Sequence, residues 1–222
     1  MKRIGIIGAG RLGASLAESL AEQGAEVLLI DQNREIIQEF SEFVTKAVEG
    51  DASNVRTLED AGFQECDVVV VAIGNNLEGS ILATVNCKEL GVPTVVAKAN
   101  SDKHGQILKR VGADLVIYPN RDCAKHLART LLSKGSVDLF EISDGFSVAE
   151  IDVPESLKNK TLAEAEVRKN FGVTVLCVRR LAEDPAQPRT IIIPTPDEVI
   201  LPDDKLLVFG VDKKINSIAQ DT

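Results

Sequence analysis

A chain of 222 residues with 44% hydrophobic and 27% charged side chains has an ordinary globular make-up, with room for one large domain or two small ones. Its formal net charge of −9 argues against a nucleic-acid partner, which needs a basic face, and no apolar run reaches the roughly eighteen residues of a membrane span. Two histidines rule against a histidine-rich metal site, and four cysteines scattered singly, with no CxxC pair, read as reduced thiols of the core.

Met1-Lys2-Arg3 leads straight into an apolar run at Ile4, Ile6 and Ile7, without the long apolar stretch of a signal peptide, so a cytosolic protein is expected. Then come Gly8-Ala9-Gly10-Arg11-Leu12-Gly13, a helical stretch to Gln23, a second apolar run from Val27 to Ile30, and Asp31 with Gln32. That is a strand, a tight turn, a helix and a parallel strand ending in an acid, the spacing of a dinucleotide-binding fingerprint. Gly8 makes the turn, Gly10 lets backbone approach a pyrophosphate, and Gly13 lets helix and strand pack closely. The helix N-terminus offers free N–H groups and a positive dipole end to phosphates. Asp31 can accept from a ribose 2′-hydroxyl and would repel a 2′-phosphate. The plainer alternative is an ordinary glycine-rich turn, with Asp31 capping the next helix.

Arg34 to Phe43 reads as a helix and Thr45 to Glu49 as a short strand leading into Gly50-Asp51-Ala52-Ser53. Asp51 or Ser53 is expected to cap a helix that runs to Ala61 and stops at Gly62. Asp67 to Ile73 is almost continuously apolar, as a central parallel strand should be, and ends in Gly74-Asn75-Asn76. Leu77 to Leu90 is helical up to Gly91, Thr94 to Ala97 is a strand closing on Lys98-Ala99-Asn100, Lys103 to Val111 is a helix stopped by Gly112, and Leu115 to Tyr118 is the sixth strand. This alternation predicts a Rossmann-like α/β fold, a doubly wound parallel six-stranded sheet with ligand at the carboxyl ends of the strands. The Gly8–Gly13 turn, Asp31, Asp51, Gly74 and Lys98 all fall at such ends.

Arg121 to Ser133 is a further helix, ended by Lys134-Gly135, with few apolar positions (Leu127, Leu131, Leu132); it is expected to pack on a partner subunit. Strand-like runs follow at Val137–Ile142, Ser147–Val153, Val173–Val178, Thr190–Ile193 and Lys205–Phe209. One helix interrupts them, started by a capping box at Thr161-Leu162-Ala163-Glu164 and ended by Gly172. Ala182–Pro188 and Pro194–Pro202 are proline-bearing loops. The expected division is a nucleotide-binding domain over 1–135 and a small α+β domain over 136–222.

Catalytic patterns are missing from this sequence. Tyr118 has Asp122, not lysine, at the fourth following position, and there is no GxSxG elbow and no Walker GxxxxGK[ST]. His104 and His126 fall in predicted helices and read as structural or surface residues. A nucleotide fold without acid–base equipment points to binding as the function. Arg11 is more than a dinucleotide pyrophosphate needs, and its charged fork suits a further phosphate such as that of ATP; the alternative is a solvated arginine at a helix start.

Taken together, the chain resembles the cytosolic regulatory subunits of bacterial potassium uptake systems of the KtrA/TrkA type, an RCK N-terminal domain followed by an RCK C-terminal domain. The marks are Gly8–Gly13, Asp31, Gly50-Asp51-Ala52, Ala72-Ile73-Gly74, Lys98-Ala99-Asn100, Tyr118-Pro119, Val148–Val153 with Leu157, Thr161 and Leu162, Phe171-Gly172-Val173, and Pro202 through Val208. The resemblance implies a non-enzymatic homo-oligomer of dimers, usually an octameric ring, docked on a membrane pore subunit of the KtrB/TrkH type. Nucleotide, ATP/ADP by preference or NAD/NADH, would switch the ring and gate the pore. The implied contacts are Gly8, Ala9, Gly10, Arg11, Leu12 and Gly13 at the phosphates, Arg11 reading the last phosphate of ATP, and Asp31 with Gln32 at the ribose. Asp51, Ala52 and Ser53, then Ala72, Ile73, Gly74 and Asn75, then Lys98 and Ala99 complete the set. Members that hold a divalent ion carry glutamate after the proline that follows strand six; Asn120 stands there, so no metal is expected. Some members bind cyclic di-AMP between paired C-terminal domains, near an arginine like Arg168. The competing class is a small NAD-dependent oxidoreductase, and a transcriptional sensor lacks a helix-turn-helix segment.

Overall fold

In a computed structural model the described residues are 2–132, 136–143, 145–182 and 188–220. The chain forms two compact units, Met1–Asn120 and Arg121–Thr222.

The first unit alternates strand and helix: β1 (Arg3–Ile7), α1 (Arg11–Glu22), β2 (Glu26–Asp31), α2 (Arg34–Phe40), β3 (Lys46–Glu49), α3 (Val55–Ala61), β4 (Val68–Val71), α4 (Leu77–Glu89), β5 (Thr94–Lys98), α5 (Asp102–Arg110) and β6 (Leu115–Ile117). Every pairing is parallel, in the order β3-β2-β1-β4-β5-β6. The chain steps outward through β2 and β3, then returns to lay β4 on the other side of β1, so the strand order reverses between β1 and β4. Strand alternation splits the apolar residues between the two faces. Ile7, Leu28, Ile30, Phe63, Val69 and Val71 join one core, while Ile6, Val27 and Leu29 join the other with Ile37 and Phe40.

Several boundaries differ from the sequence reading. β4 ends at Val71, and Ala72 and Ile73 continue as loop, although the Ala72 N–H still donates to the Ile7 carbonyl at 2.8 Å. α2 ends at Phe40, where a turn brings the Val44 N–H to the Phe40 carbonyl at 3.2 Å. The cap of α3 is Asn54, whose side chain accepts from the Arg56 N–H at 3.1 Å, and neither Asp51 nor Ser53 takes that role. Asp51 is spent locally, its Oδ1 accepting from the Ser53 N–H at 2.9 Å in a turn ahead of the helix.

The second unit is an antiparallel sheet with short helices. The helix α6 (Pro119–Leu132) leads into it, and its expected end at Lys134-Gly135 lies outside the described residues. Then come β7 (Ser136–Ser143), β8 (Phe146–Asp152), α7 (Leu162–Ala165), α8 (Val167–Asn170), β9 (Val173–Arg180), β10 (Thr190–Ile192), β11 (Lys205–Val211) and α9 (Asp212–Ala219), with strand order β10-β9-β11-β8-β7. The 183–187 stretch of the first proline-bearing loop also lies outside the described residues. The capping box at Thr161 and Glu164 is formed, but the single expected helix is two, broken at Glu166 with φ 41°. The closing helix α9 is a further addition, burying Ile215 and Ile218 against Ala149, Leu206 and Val208. Compact packing divides the chain between Asn120 and Arg121, ahead of the 135/136 division read from sequence, so most of α6 falls in the second unit.

Candidate functional site

The reversal of strand order opens a cleft of about 240 Å³ at the carboxyl ends of β1, β2, β3 and β4. Four connections meet there: Ile7, Gly8 and Gly10 after β1; Ile30, Asp31 and Gln32 at the end of β2; Gly50, Asp51 and Ala52 after β3; and Ala72, Ile73, Gly74, Asn76 and Gly79 between β4 and α4.

The glycine turn is built as its spacing demands. Gly8 has φ +93°, a left-handed conformation that a side chain would strain, and its N–H donates to the Ile30 carbonyl at 2.8 Å. A Cβ on Gly13 would fall far inside van der Waals distance of the Gly8 carbonyl oxygen, so the first turn of α1 can lie against β1 only as glycine. Gly10 faces open space on the cleft wall.

The N-terminus of α1 is chemically distinct from its neighbours. The helices α2, α3, α4 and α5 are capped by the side chains of Asn33, Asn54, Asn76 and Ser101. The α1 cap is Gly10, with no side-chain hydrogen bond and no acid in the first turn. Its leading N–H groups and its positive dipole end are therefore available to an anion in the cleft.

Two carboxylates flank that end. Asp31 Oδ2 accepts from the Ala9 N–H at 2.7 Å and Oδ1 from the Asn33 N–H at 2.8 Å, so one side chain ties the glycine turn to the start of α2. Asp31 is thus no cap, since Asn33 caps α2, and an ionised carboxylate retains lone pairs for a further donor. Asp51 is held below the usual carboxylate range, first by the Ser53 backbone N–H and then by side-chain hydrogen bonds with Ser53 and Gln32. It is ionised at neutral pH and offers acceptors to the cleft.

Of the residues singled out from sequence, Gly8, Gly10, Asp31, Gln32, Asp51, Ala52, Ala72, Ile73 and Gly74 line the cleft. Ala9, Leu12, Gly13 and Ser53 do not line it; Ala9 is buried and Gly13 packs against the Gly8 carbonyl. Arg11 is exposed at the first position of α1, and among the described residues it makes no ion pair. Lys98 ends β5 with its ammonium beside Gly74, where a Cβ would stand 3.4 Å away, and it too makes no ion pair among the described residues. Ala99 is buried, its N–H donating to the Ile117 carbonyl at 2.9 Å. Asn75 belongs instead to a neighbouring recess with Leu77, Asn100, Ser101 and His104. There the Asn100 amide donates to the Gly74 carbonyl, and the buried His104 accepts from the Asn100 N–H at 3.4 Å. Burial lowers the His104 pKa, favouring the neutral ring.

Ile7, Ile30, Gly50, Asn76 and Gly79 also line the cleft and were not among the contacts expected from sequence. Asn76 had a legible signal, an asparagine directly before a helical run. Ile7 and Ile30 read as core, and their position as the last apolar residues of their strands is what turns them into cleft walls. Among the described residues no group of three or more histidine, cysteine, aspartate or glutamate side chains is placed so that it could hold a metal ion.

Comparison with known proteins extends the picture. The TrkA-N domain model matches residues 4–119 and the TrkA-C domain model residues 148–220. The chain is 35% identical over 209 residues to Ktr system potassium uptake protein C of Bacillus subtilis (strain 168), covering 94% of this chain and 92% of that one. The crystal structure of the GsuK RCK domain covers 99% of this chain at 24% identity and a TM-score of 0.52, a likeness of fold; this chain spans 46% of that one. The crystal structure of GsuK bound to ADP is 30% identical over 59% of this chain, with a TM-score of 0.51, and 34% of that chain is matched.

Proposed function

The chain belongs to the family that pairs a TrkA-N with a TrkA-C domain, and on that premise we propose that it is the cytosolic, nucleotide-binding regulatory subunit of a bacterial potassium uptake system. The observation that carries this reading is the uncapped N-terminus of α1, facing a cleft flanked by Asp31 and Asp51. In this reading phosphates rest on the Gly8–Gly13 turn, the ribose hydroxyls donate to Asp31, and the base lies between Ile30, Asp51 and Ile73. Arg11 meets the terminal phosphate of ATP, and Lys98 beside Gly74 supplies a second positive charge. ATP/ADP is the preferred pair, with NAD/NADH entering the same cleft. The ADP-bound relative supports an adenine nucleotide.

The protein acts without turnover, as a homo-oligomer of dimers that closes into an octameric ring. The exposed Leu127 (53%) and Leu131 (75%) of α6 support a partner on that helix. No described helix is long and apolar enough to cross a membrane, so in this reading membrane attachment comes from a KtrB/TrkH-type pore subunit. A shallow groove lined by Leu162, Arg168, Val173 and Val175 is where cyclic di-AMP would be sought.

Titration of the purified chain with ATP, ADP, NAD and NADH tests this function. Saturable binding of an adenine nucleotide without consumption is expected. Steady NADH oxidation with small carbonyl substrates would replace the regulator by an oxidoreductase.

A further inference from the structure

Resting on the nucleotide reading of the cleft, we propose that Asn86 of α4 is a positioning residue: it holds the Asp51 loop in place and thereby sets which purine the cleft prefers, without lining the cleft itself. Asn86 is a buried polar side chain on an otherwise packed helix. Its Nδ2 donates to the Ala52 carbonyl and to the Ser53 carbonyl, each at 2.9 Å. Both acceptors belong to the β3–α3 loop, whose Asp51 and Ala52 line the cleft. The bonds within that loop, Ser53 N–H to Asp51 Oδ1 at 2.9 Å and Asn54 N–H to the Asp51 carbonyl at 3.1 Å, set its internal shape. They do not fix where the loop stands against α4. The Asn86 link does, and the same helix lines the cleft through Gly79, with its cap Asn76 beside it. One rigid element therefore holds two walls of the cleft in register.

The consequence falls on the base. Asp51 accepts from the Ser53 N–H through Oδ1 and also meets the Ser53 and Gln32 side chains, and its carboxylate, which keeps a further lone pair, lines the cleft together with Ile30, Ala52 and Ile73. An acceptor there favours a base that presents an exocyclic amine and opposes one that presents a carbonyl oxygen. Hydrogen bonds weaken steeply with misalignment, so a small displacement of the loop costs this selectivity. The phosphate contacts at α1 come from a different connection and are unaffected.

The test is calorimetric titration of the full chain with ATP and with ITP, which carries a carbonyl where ATP carries an amine. The unaltered protein should prefer ATP by roughly tenfold, the scale of one hydrogen bond to a charged acceptor. Asn86→Ala should bring the ratio to near unity while ITP affinity stays within about twofold. Thermal melting checks that the variant is folded, and Asn86→Ser, too short to reach both carbonyls, carries the same expectation if alanine is not tolerated. Parallel loss of ATP and ITP would show a merely structural residue and overturn the proposal. Equal binding of ATP and ITP by the unaltered protein would also overturn it, leaving the nucleotide reading intact. Binding of neither would instead remove the nucleotide reading itself.

Discussion

Replacing Asp31 by alanine should produce two separable losses. In the free protein its carboxylate accepts the Ala9 and Asn33 N–H groups at 2.7 and 2.8 Å, joining the glycine turn to α2. Removing a charged acceptor of this kind costs about 1.5–3 kcal/mol, and the partly solvated site puts the stability loss at the lower end. In the proposed complex the same carboxylate would receive the ribose. Losing that contact should weaken every ribose-bearing ligand by roughly 10- to 100-fold. The two effects are told apart with 2′-deoxy-ATP in isothermal titration. The unaltered protein should bind ATP more tightly than 2′-deoxy-ATP, and Asp31→Ala should bind the two alike. A variant that discriminates between them as well as its parent would show that Asp31 serves the turn alone, and the ribose assignment would fall.

Arg11→Ala should weaken ATP more than ADP or NAD; because Arg11 is exposed, the difference should be about 1 kcal/mol, a factor near five, and uniform loss across the three ligands would reject its role. Gly13→Ala drives a Cβ into the Gly8 carbonyl oxygen, a backbone group that cannot step aside, and should cost about 1–3 kcal/mol, read as a lower melting temperature together with weakened nucleotide binding. Burial lowers the His104 pKa, so between the unfolded value near 6.5 and the lower folded value the unfolded chain binds the extra proton; stability should fall with acidification through that window, and His104→Gln should flatten the slope in urea melts taken at successive pH values.

The parts of this molecule that a sequence exposes are those fixed by local sterics. Gly8 and Gly13 are demanded by a left-handed turn and a helix–strand contact, and Asp31 ends a strand whose length follows from its apolar run. The caps were less legible because neighbouring side chains compete. Asp51, Ser53 and Asn54 are all good capping residues, and the choice of Asn54 follows from Asp51 already accepting the Ser53 N–H. The break at Glu166 needs a left-handed non-glycine residue, for which no composition rule exists. α9 is eight residues long with two buried isoleucines, too short to show a period. Asn86 was invisible because its partners, Ala52 and Ser53, lie more than thirty positions away in sequence.

In the proposed function, nucleotide in the α1 cleft governs potassium movement through a separate pore. Potassium flux into vesicles containing the pore subunit tests it most directly, measured with and without this protein, under ATP and under ADP, with Arg11→Ala as the control. Flux should rise with ATP only when the protein is present, and Arg11→Ala should narrow the gap between the two nucleotides. Identical flux under both nucleotides, or an ATP response that persists without the protein, would contradict the account.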